Sequence, residues 1–267
     1  MNMYGVFLVI QKDRRHPYLL LLVVVAVIAL FAPIDVLNYA LADSSGVNEV
    51  KILNKTHDLI KASGASGLIE HIDKCQKGNS QSCFVLGIAF MFSHGVKKDA
   101  TIGIYWETKA AELGYSDAQY NLSIEYFEGL SVEKNVDKGI YWERLAAENG
   151  HRVAMYNLGI GACEGIRKDM ACKDGIKYLQ RASQKGFVLA KTSLGLAYLR
   201  GQGVDKNYAA ARNYLDQAMQ LGDPDAFCWT GYMYCRGIGV APDCAKGGAL
   251  IREAASKGSS VCSKLKL

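Results

Sequence analysis

The sequence has few histidines, and none of them stands in a catalytic arrangement. They share no motif with a serine, a cysteine or an acid, so a hydrolytic triad has no candidate members. No C-x-x-C motif occurs, and among the histidines only His71 stands near a cysteine, Cys75. The sequence therefore predicts no zinc site and no cofactor. The five histidines are His16, His57, His71, His94 and His151.

Charge is also scarce, because only 21% of the residues are charged and the net charge is +5. Lysines and arginines are scattered along the chain beside acids and form no basic stripe, which argues against a nucleic-acid partner. Half of the residues are apolar, as in a globular protein and unlike a disordered one.

Residues 1–42 have the features of a targeting segment. A basic stretch precedes an uncharged apolar run at 18–32, which Pro33 ends. This run is shorter than the ~20 residues of a membrane span, and the small-x-small sequence at 40–42 suits a signal peptidase. We expect a signal peptide cleaved after Ala42, which would make the protein periplasmic or secreted. The alternative is an uncleaved signal anchor in the inner membrane with periplasmic repeats.

The dominant pattern in the remainder is a repeat with a period of 36 residues. Fixed periods in this range are typical of a solenoid, in which each unit buries its apolar face by stacking on the next. The recurring residues include a small residue (Ser82, Ala118, Ala154, Ala190, Ala226), a leucine (Leu86, Leu122, Leu158, Leu194), a glycine (Gly87, Gly159, Gly195, Gly231) and a second alanine (Ala110, Ala146, Ala182, Ala218, Ala254).

Each unit is predicted to form two helices, named A and B here. Leu122 and Tyr126 are four residues apart and share one face of helix A, which Gly129 ends. Trp142 holds a recurring aromatic position on helix B, where core packing is expected, and Gly150 closes that helix. Because glycine weakens a helix, its recurrence within helix A predicts a close approach of two helix backbones.

The units resemble the Sel-1-like repeat, a relative of the tetratricopeptide repeat, in the pattern A-x-x-x-L-G-x-x-Y-x-x-G-x-G-V-x-K-D/N followed by W and K-A-A-x-x-G. The copy that starts at Ala190 carries it as AKTSLGLAYLRGQGVDKN. This resemblance implies an all-α, right-handed solenoid of stacked antiparallel helix pairs. Five repeats and a short C-terminal helix would occupy 82–267, after a degenerate capping pair at 43–81. The third copy departs from the pattern, with GIRKDMAC in its loop.

The eight cysteines are predicted to form four disulfides. Two pairs have a spacing of nine residues, lie two repeats apart, and each join the end of a helix A to the start of its helix B. Cys75 and Cys83 are eight residues apart, a spacing similar to that of secreted, cysteine-rich bacterial members of the family. Such bonds indicate an oxidising compartment, whereas the alternative, a metal site, lacks the usual ligand spacing. The predicted pairs are Cys75 with Cys83, Cys163 with Cys172, Cys235 with Cys244, and Cys228 with Cys262.

One string has a catalytic form, the S-x-x-K sequence from Ser131 to Lys134. It is similar to the motif of penicillin-recognising serine enzymes, and some cysteine-rich relatives are called β-lactamases. The companion motifs S-D-N and K-T-G are absent, however, and Lys134 occupies the loop lysine position of the repeat. A β-lactamase-like or penicillin-binding protein is therefore the alternative to a non-enzymatic protein.

The resemblance implies an exported interaction scaffold of the bacterial envelope, of an adaptor, regulator or toxin-immunity type. A protein or peptide would bind the concave face formed by the A helices, where aromatic, arginine and asparagine side chains recur. For the tyrosines the alternative is packing against the next unit. The predicted partner-binding residues are Tyr120, Asn121, Glu128, Tyr156, Asn157, Glu164, Arg200, Trp229, Tyr232 and Arg236.

Overall fold

The computed structural model describes residues 46–259 together with 261 and 262, and within them it contains twelve α-helices and no strand. The targeting segment and most of the expected C-terminal helix lie outside these residues. None of the described helices combines the length and apolar character that a membrane span requires. The helices are α1 (Gly46–Ser63), α2 (Gly67–Gln76), α3 (Ser80–Phe92), α4 (Ala100–Glu112), α5 (Ser116–Glu128), α6 (Val136–Glu148), α7 (Arg152–Cys163), α8 (Cys172–Gln184), α9 (Val188–Arg200), α10 (Tyr208–Gln220), α11 (Pro224–Arg236) and α12 (Cys244–Ser256).

The chain divides into two compact units, residues 1–56 and 57–267. Helix α1 crosses that boundary, and its first part is all that is described of the first unit. The segment 62–67 contains the short connection from α1 to α2.

The second unit is an α-solenoid, as predicted. Helices α3 to α12 form five pairs in which each helix A packs against the helix B that follows it. Each helix B then packs against helix A of the next pair, which links the pairs into one stack. Helix α2 packs against α3 in the same way and covers the start of the stack.

Recurring caps fix the ends of these helices. Asn135 precedes α6, and its side-chain oxygen accepts a hydrogen bond from the backbone N–H of Lys138 at 3.0 Å. Asp99, Asn207 and Asp243 cap α4, α10 and α12 in the same manner. The third repeat has Ala171 at this position and lacks a side-chain cap, so its departure from the sequence pattern is also a departure in structure.

The core consists of residues that recur in the sequence. Trp106 and Trp142 are almost fully buried, as expected of the aromatic position on helix B. The glycines within helix A stand where the two helices of a repeat cross. A Cβ atom at Gly159 would lie 2.9 Å from the carbonyl oxygen of Gly175, and one at Gly231 would lie 2.7 Å from that of Gly247. The predicted close backbone approach is confirmed.

Replacing a crossing glycine should therefore separate the two helices of its repeat. In Gly231→Ala the new methyl group would clash with the backbone of α12, and we expect a loss of about 1–3 kcal/mol of stability. Gly248→Ala is the matched control, because its Cβ would meet only Arg252 Nη1, at 3.5 Å. It should gain up to ~1 kcal/mol from helix propensity. Urea unfolding followed by circular dichroism measures both, and equal stability of the two variants would contradict this account of the glycine.

Candidate interaction surface

Three of the four predicted disulfides are present. Cys75 is joined to Cys83 between α2 and α3, and Cys163 to Cys172 between α7 and α8. The pair Cys228 and Cys262 links α11 to the residues after the last repeat. These bonds fasten both ends of the stack and the third repeat, whose helix B has no side-chain cap.

The fourth predicted pair, Cys235 and Cys244, is brought together but not bonded. Its two Sγ atoms lie 2.7 Å apart, and both cysteines are free thiols in this structure. The pair connects α11 with α12 as Cys163 and Cys172 connect α7 with α8, two repeats earlier. The difference from the sequence prediction is thus one of bonding and not of position.

Three exposed or half-buried positions on each of the A helices α5, α7, α9 and α11 form a continuous stripe across the stack, which we call the A-helix face. Their spacing of three and four residues places them on one side of the helix, away from helix B. Helices α7 and α9 also contact each other directly, so neighbouring stripes lie side by side. The face contains Asn121, Ile124, Glu128, Asn157, Ile160, Glu164, Ser193, Leu196, Arg200, Trp229, Tyr232 and Arg236.

At the C-terminal end of this face, four predicted partner-binding residues form a ladder of rings and cations. The Arg200 guanidinium lies 5.1 Å from the ring centre of Trp229. That indole meets Tyr232 edge to face at 5.9 Å, and Arg236 lies 5.9 Å from the Tyr232 ring. Both rings are half-buried and both arginines are exposed. Such stacking holds the side chains in place while leaving their polar edges open to a partner.

Two other predicted residues, Glu128 and Glu164, lie at the ends of their A helices and are exposed. They occupy the same repeat position as Arg200 and Arg236.

Tyr120 and Tyr156 pack mainly within the stack. The Tyr120 ring stacks on His151 at 4.2 Å, and the Tyr156 ring lies 5.0 Å from Phe187. In both cases the second ring belongs to the residue just before the next helix A. For these two tyrosines the structure has the arrangement that the sequence left as the alternative.

Asn121 also has a partner inside the protein. Its amide Nδ2 donates a hydrogen bond to Oε1 of Glu107 at 2.6 Å. This bond crosses the interface between the first two repeats; we call such an interface between consecutive repeats a joint. The Asn157 amide Nδ2 lies farther from its partner, 3.5 Å from the Tyr120 hydroxyl. The two asparagines are equivalent in sequence but differ in role, because Glu107 accepts a hydrogen bond from Asn121 whereas its counterpart Glu143 pairs with Arg167.

The joint between the first and second repeats contains two buried acids, which the sequence did not single out. Glu107 is only 2% exposed, and burial raises its pKa to about 7. The nearby Glu125, also buried, raises that pKa further by charge repulsion, whereas the hydrogen bond from Asn121 lowers it. Glu125 itself accepts a hydrogen bond from the backbone N–H of Ser131 at 2.8 Å.

The next joint is built differently at the same repeat position. Glu143, the counterpart of Glu107, forms an ion pair with Arg167 of the following repeat. Gly161, the counterpart of Glu125, makes room for this arginine, because a Cβ atom there would lie 3.0 Å from Arg167 Cγ. Arg167 belongs to the atypical loop of the third repeat, so the irregular sequence supplies the cation that the first joint lacks.

The S-x-x-K sequence lies in the loop between α5 and α6, and both Ser131 and Lys134 are exposed. In the described part of the chain, no hydrogen bond joins the Ser131 hydroxyl to the lysine. The Lys134 backbone lies beside Gly129, where an added Cβ atom would lie 3.0 Å from Lys134 Cβ. No three histidine, cysteine, aspartate or glutamate side chains among the described residues lie close enough together to hold a metal ion.

The free thiols should close into the fourth disulfide when the protein matures under oxidising conditions. Cys235 and Cys244 already touch, and Cys244 is exposed to oxidants. We expect alkylation of unreduced, denatured protein to label no cysteine, and alkylation after reduction to label all eight. Mass spectrometry reads the number of labels. Two labels before reduction, lost in Cys235→Ser/Cys244→Ser, would show that the pair stays reduced.

The buried acid should make stability depend on pH. Because the pKa of Glu107 is raised in the fold, its contribution is fully present below its unfolded pKa, falls as pH rises, and is lost above about pH 7. Glu107→Gln should match the wild type near pH 5 and exceed it by about 2–3 kcal/mol near pH 8. Thermal unfolding at the two pH values measures this difference.

Glu143→Gln is the control for that pH dependence. It removes the partner of Arg167, so we expect it to destabilise the protein at pH 8. If the stability of Glu107→Gln relative to the wild type did not rise between pH 5 and pH 8, the buried carboxyl would not carry the pH dependence.

Comparison with known proteins agrees with this architecture. The crystal structure of a protective antigen present in uropathogenic Escherichia coli strains, which displays an SLR fold, is 29% identical with a TM-score of 0.64. The alignment covers 73% of this chain but 42% of the antigen, so this chain spans less than half its length. A Sel1 repeat protein from Oxalobacter formigenes is 30% identical with a TM-score of 0.62, over 70% of this chain and 74% of that one. No curated protein matches the chain significantly.

The five repeats match a known repeat family. The Sel1 repeat matches five consecutive segments, residues 80–115, 116–151, 152–187, 188–223 and 224–259. Each begins with the first helix of a pair, two residues before the repeat start read from the sequence. The chain belongs to the Sel1 repeat family.

Proposed function

We propose that the protein is a non-enzymatic, exported scaffold of the bacterial envelope that binds a protein or peptide through its A-helix face. The observation that carries this proposal is the ladder of Arg200, Trp229, Tyr232 and Arg236, which is fixed in geometry and open on one side. Repeats of this family are typical of protein interaction scaffolds, which fits a surface of this kind.

The composition of the face supports a protein partner. Tryptophan, tyrosine and arginine are the side chains most enriched at the energetic centres of protein interfaces. A stack of repeats also presents them on rigid helices, so little conformational entropy is lost when a partner binds. Both features favour association with a protein over turnover of a small substrate.

The cysteines support an exported location, periplasmic or secreted. Three bonded pairs in one domain are characteristic of an oxidising compartment, because cytosolic thiols are kept reduced. The expected targeting segment at 1–42 agrees with this, either as a cleaved signal peptide or as a membrane anchor. Kinship to a bacterial protein described as a protective antigen is a further argument for a location outside the cytosol.

A pair of matched double variants tests the proposal. Arg200→Ala/Tyr232→Ala removes one arginine and one tyrosine from the A-helix face, and Arg252→Ala/Tyr141→Ala removes the same types from exposed positions on B helices. Each purified protein is used as bait in an envelope extract, with captured proteins quantified by mass spectrometry. We expect a partner retained by wild type and by the B-helix variant to be depleted at least about tenfold by the A-helix variant.

Circular dichroism should show that both double variants remain folded. A partner captured equally by the two variants would place the interaction on another surface, and the proposed role of the A-helix face would be wrong.

A further inference from the structure

One row of the A-helix face has its charges sorted by sign. From the second repeat onward, the residue at the end of helix A is charged: Glu128 in the second repeat, Glu164 directly after the helix in the third, Arg200 in the fourth and Arg236 in the fifth. Because these residues occupy one repeat position, they follow one edge of the face at intervals of a single repeat. The edge is therefore acidic over two repeats and basic over the next two.

The charges of this row are not neutralised within the described part of the protein. Glu128 and Glu164 are exposed and form no ion pair with a described residue. Arg200 and Arg236 stack on aromatic rings instead of pairing with carboxylates. A guanidinium that lies over a ring keeps its planar N–H edge available for a carboxylate.

A second row beside the charges is mostly apolar. Ile124, Ile160, Leu196 and Tyr232 occupy one position in consecutive repeats, and each retains solvent exposure. Ile124, at the acidic end, is 37% exposed. A ligand lying along the face would therefore meet apolar side chains beneath it and ordered charges along one edge.

We propose that the A-helix face binds an extended segment of a partner protein that carries basic residues at one end and acidic residues at the other. This inference rests on the proposed function and adds the chemistry of the partner. Neighbouring packed helices are about 10 Å apart, so four repeats span about 30 Å, which about nine or ten extended residues would cover. Two charges at each end of such a segment match the two acidic and two basic repeats.

The sorted charges favour this occupant over polyanions and membranes. Nucleic acid or an anionic bilayer would gain from Arg200 and Arg236 but would be repelled by Glu128 and Glu164. Only a ligand with both signs, separated along its length, satisfies the whole row.

A random decapeptide library displayed on phage tests the charge order directly. Wild-type protein should enrich peptides with Lys or Arg near one end and Asp or Glu near the other. The variant Glu128→Arg/Glu164→Arg should lose the basic preference and keep the acidic one. Its matched control is Glu112→Arg/Glu148→Arg, which changes two acids one repeat apart on B helices and should select as the wild type does.

Fluorescence polarisation then gives the affinity of the best selected peptide. We expect this peptide to bind Glu128→Arg/Glu164→Arg at least about tenfold more weakly than it binds the control variant. A peptide of equal composition with alternating charges should bind the wild type at least about tenfold more weakly than the selected peptide does. Enriched peptides without sorted charges, or equal binding to both variants, would overturn the inference and leave the proposed function standing. Absence of any enriched peptide would count against both.

Discussion

The close crossing of helices A and B within each repeat is the contact on which the remaining structure depends. At Gly159 and Gly175 the two backbones approach so closely that neither position has room for a side chain. The other repeats keep the contact with small residues, as where Gly195 meets Ala211. This shared crossing sets the angle of each pair, so that equivalent residues of successive A helices lie on the same side. The A-helix face is thus a consequence of packing on the opposite side of the same helices.

Much of the fold could be predicted from sequence because its determinants are local and repeated five times. The helix pairs, the buried tryptophans and the bonded pair Cys163–Cys172 follow from positions within a 36-residue period. Periodicity is least informative where the sequence breaks it, in the loop of the third repeat. There the backbone N–H of Arg167 bonds to the carbonyl of Gly161, whereas the second repeat joins Asn135 to Tyr126. What an exception contacts depends on its spatial neighbour, which the repeat pattern does not specify.

The same limit applies to the interaction surface. The period predicted which residues share a stripe, but the contacts of each side chain depend on a second repeat. Tyr120 packs on His151 because a ring stands at the start of the next unit, and Tyr232 stays on the face beside Trp229. Likewise, Asn121 meets an acid that the repeat carries only in its first two copies, at Glu107 and Glu143. Side-chain partners across a joint therefore had to come from the structure.

Asn121 connects the face to a joint that buries two acids. In a solenoid, stability is nearly the sum of repeat and joint contributions, so one unfavourable joint lowers the cost of local opening there. The joint at Glu107 buries two acids, which accept hydrogen bonds from the Asn121 amide and the Ser131 backbone N–H, whereas the joint at Glu143 contains an arginine. A ligand that drew the Asn121 amide towards the face would leave Glu107 without its donor and favour the protonated carboxyl. For such a ligand, occupancy of the face and protonation of this joint would be linked through one side chain, and by thermodynamic reciprocity each would affect the other.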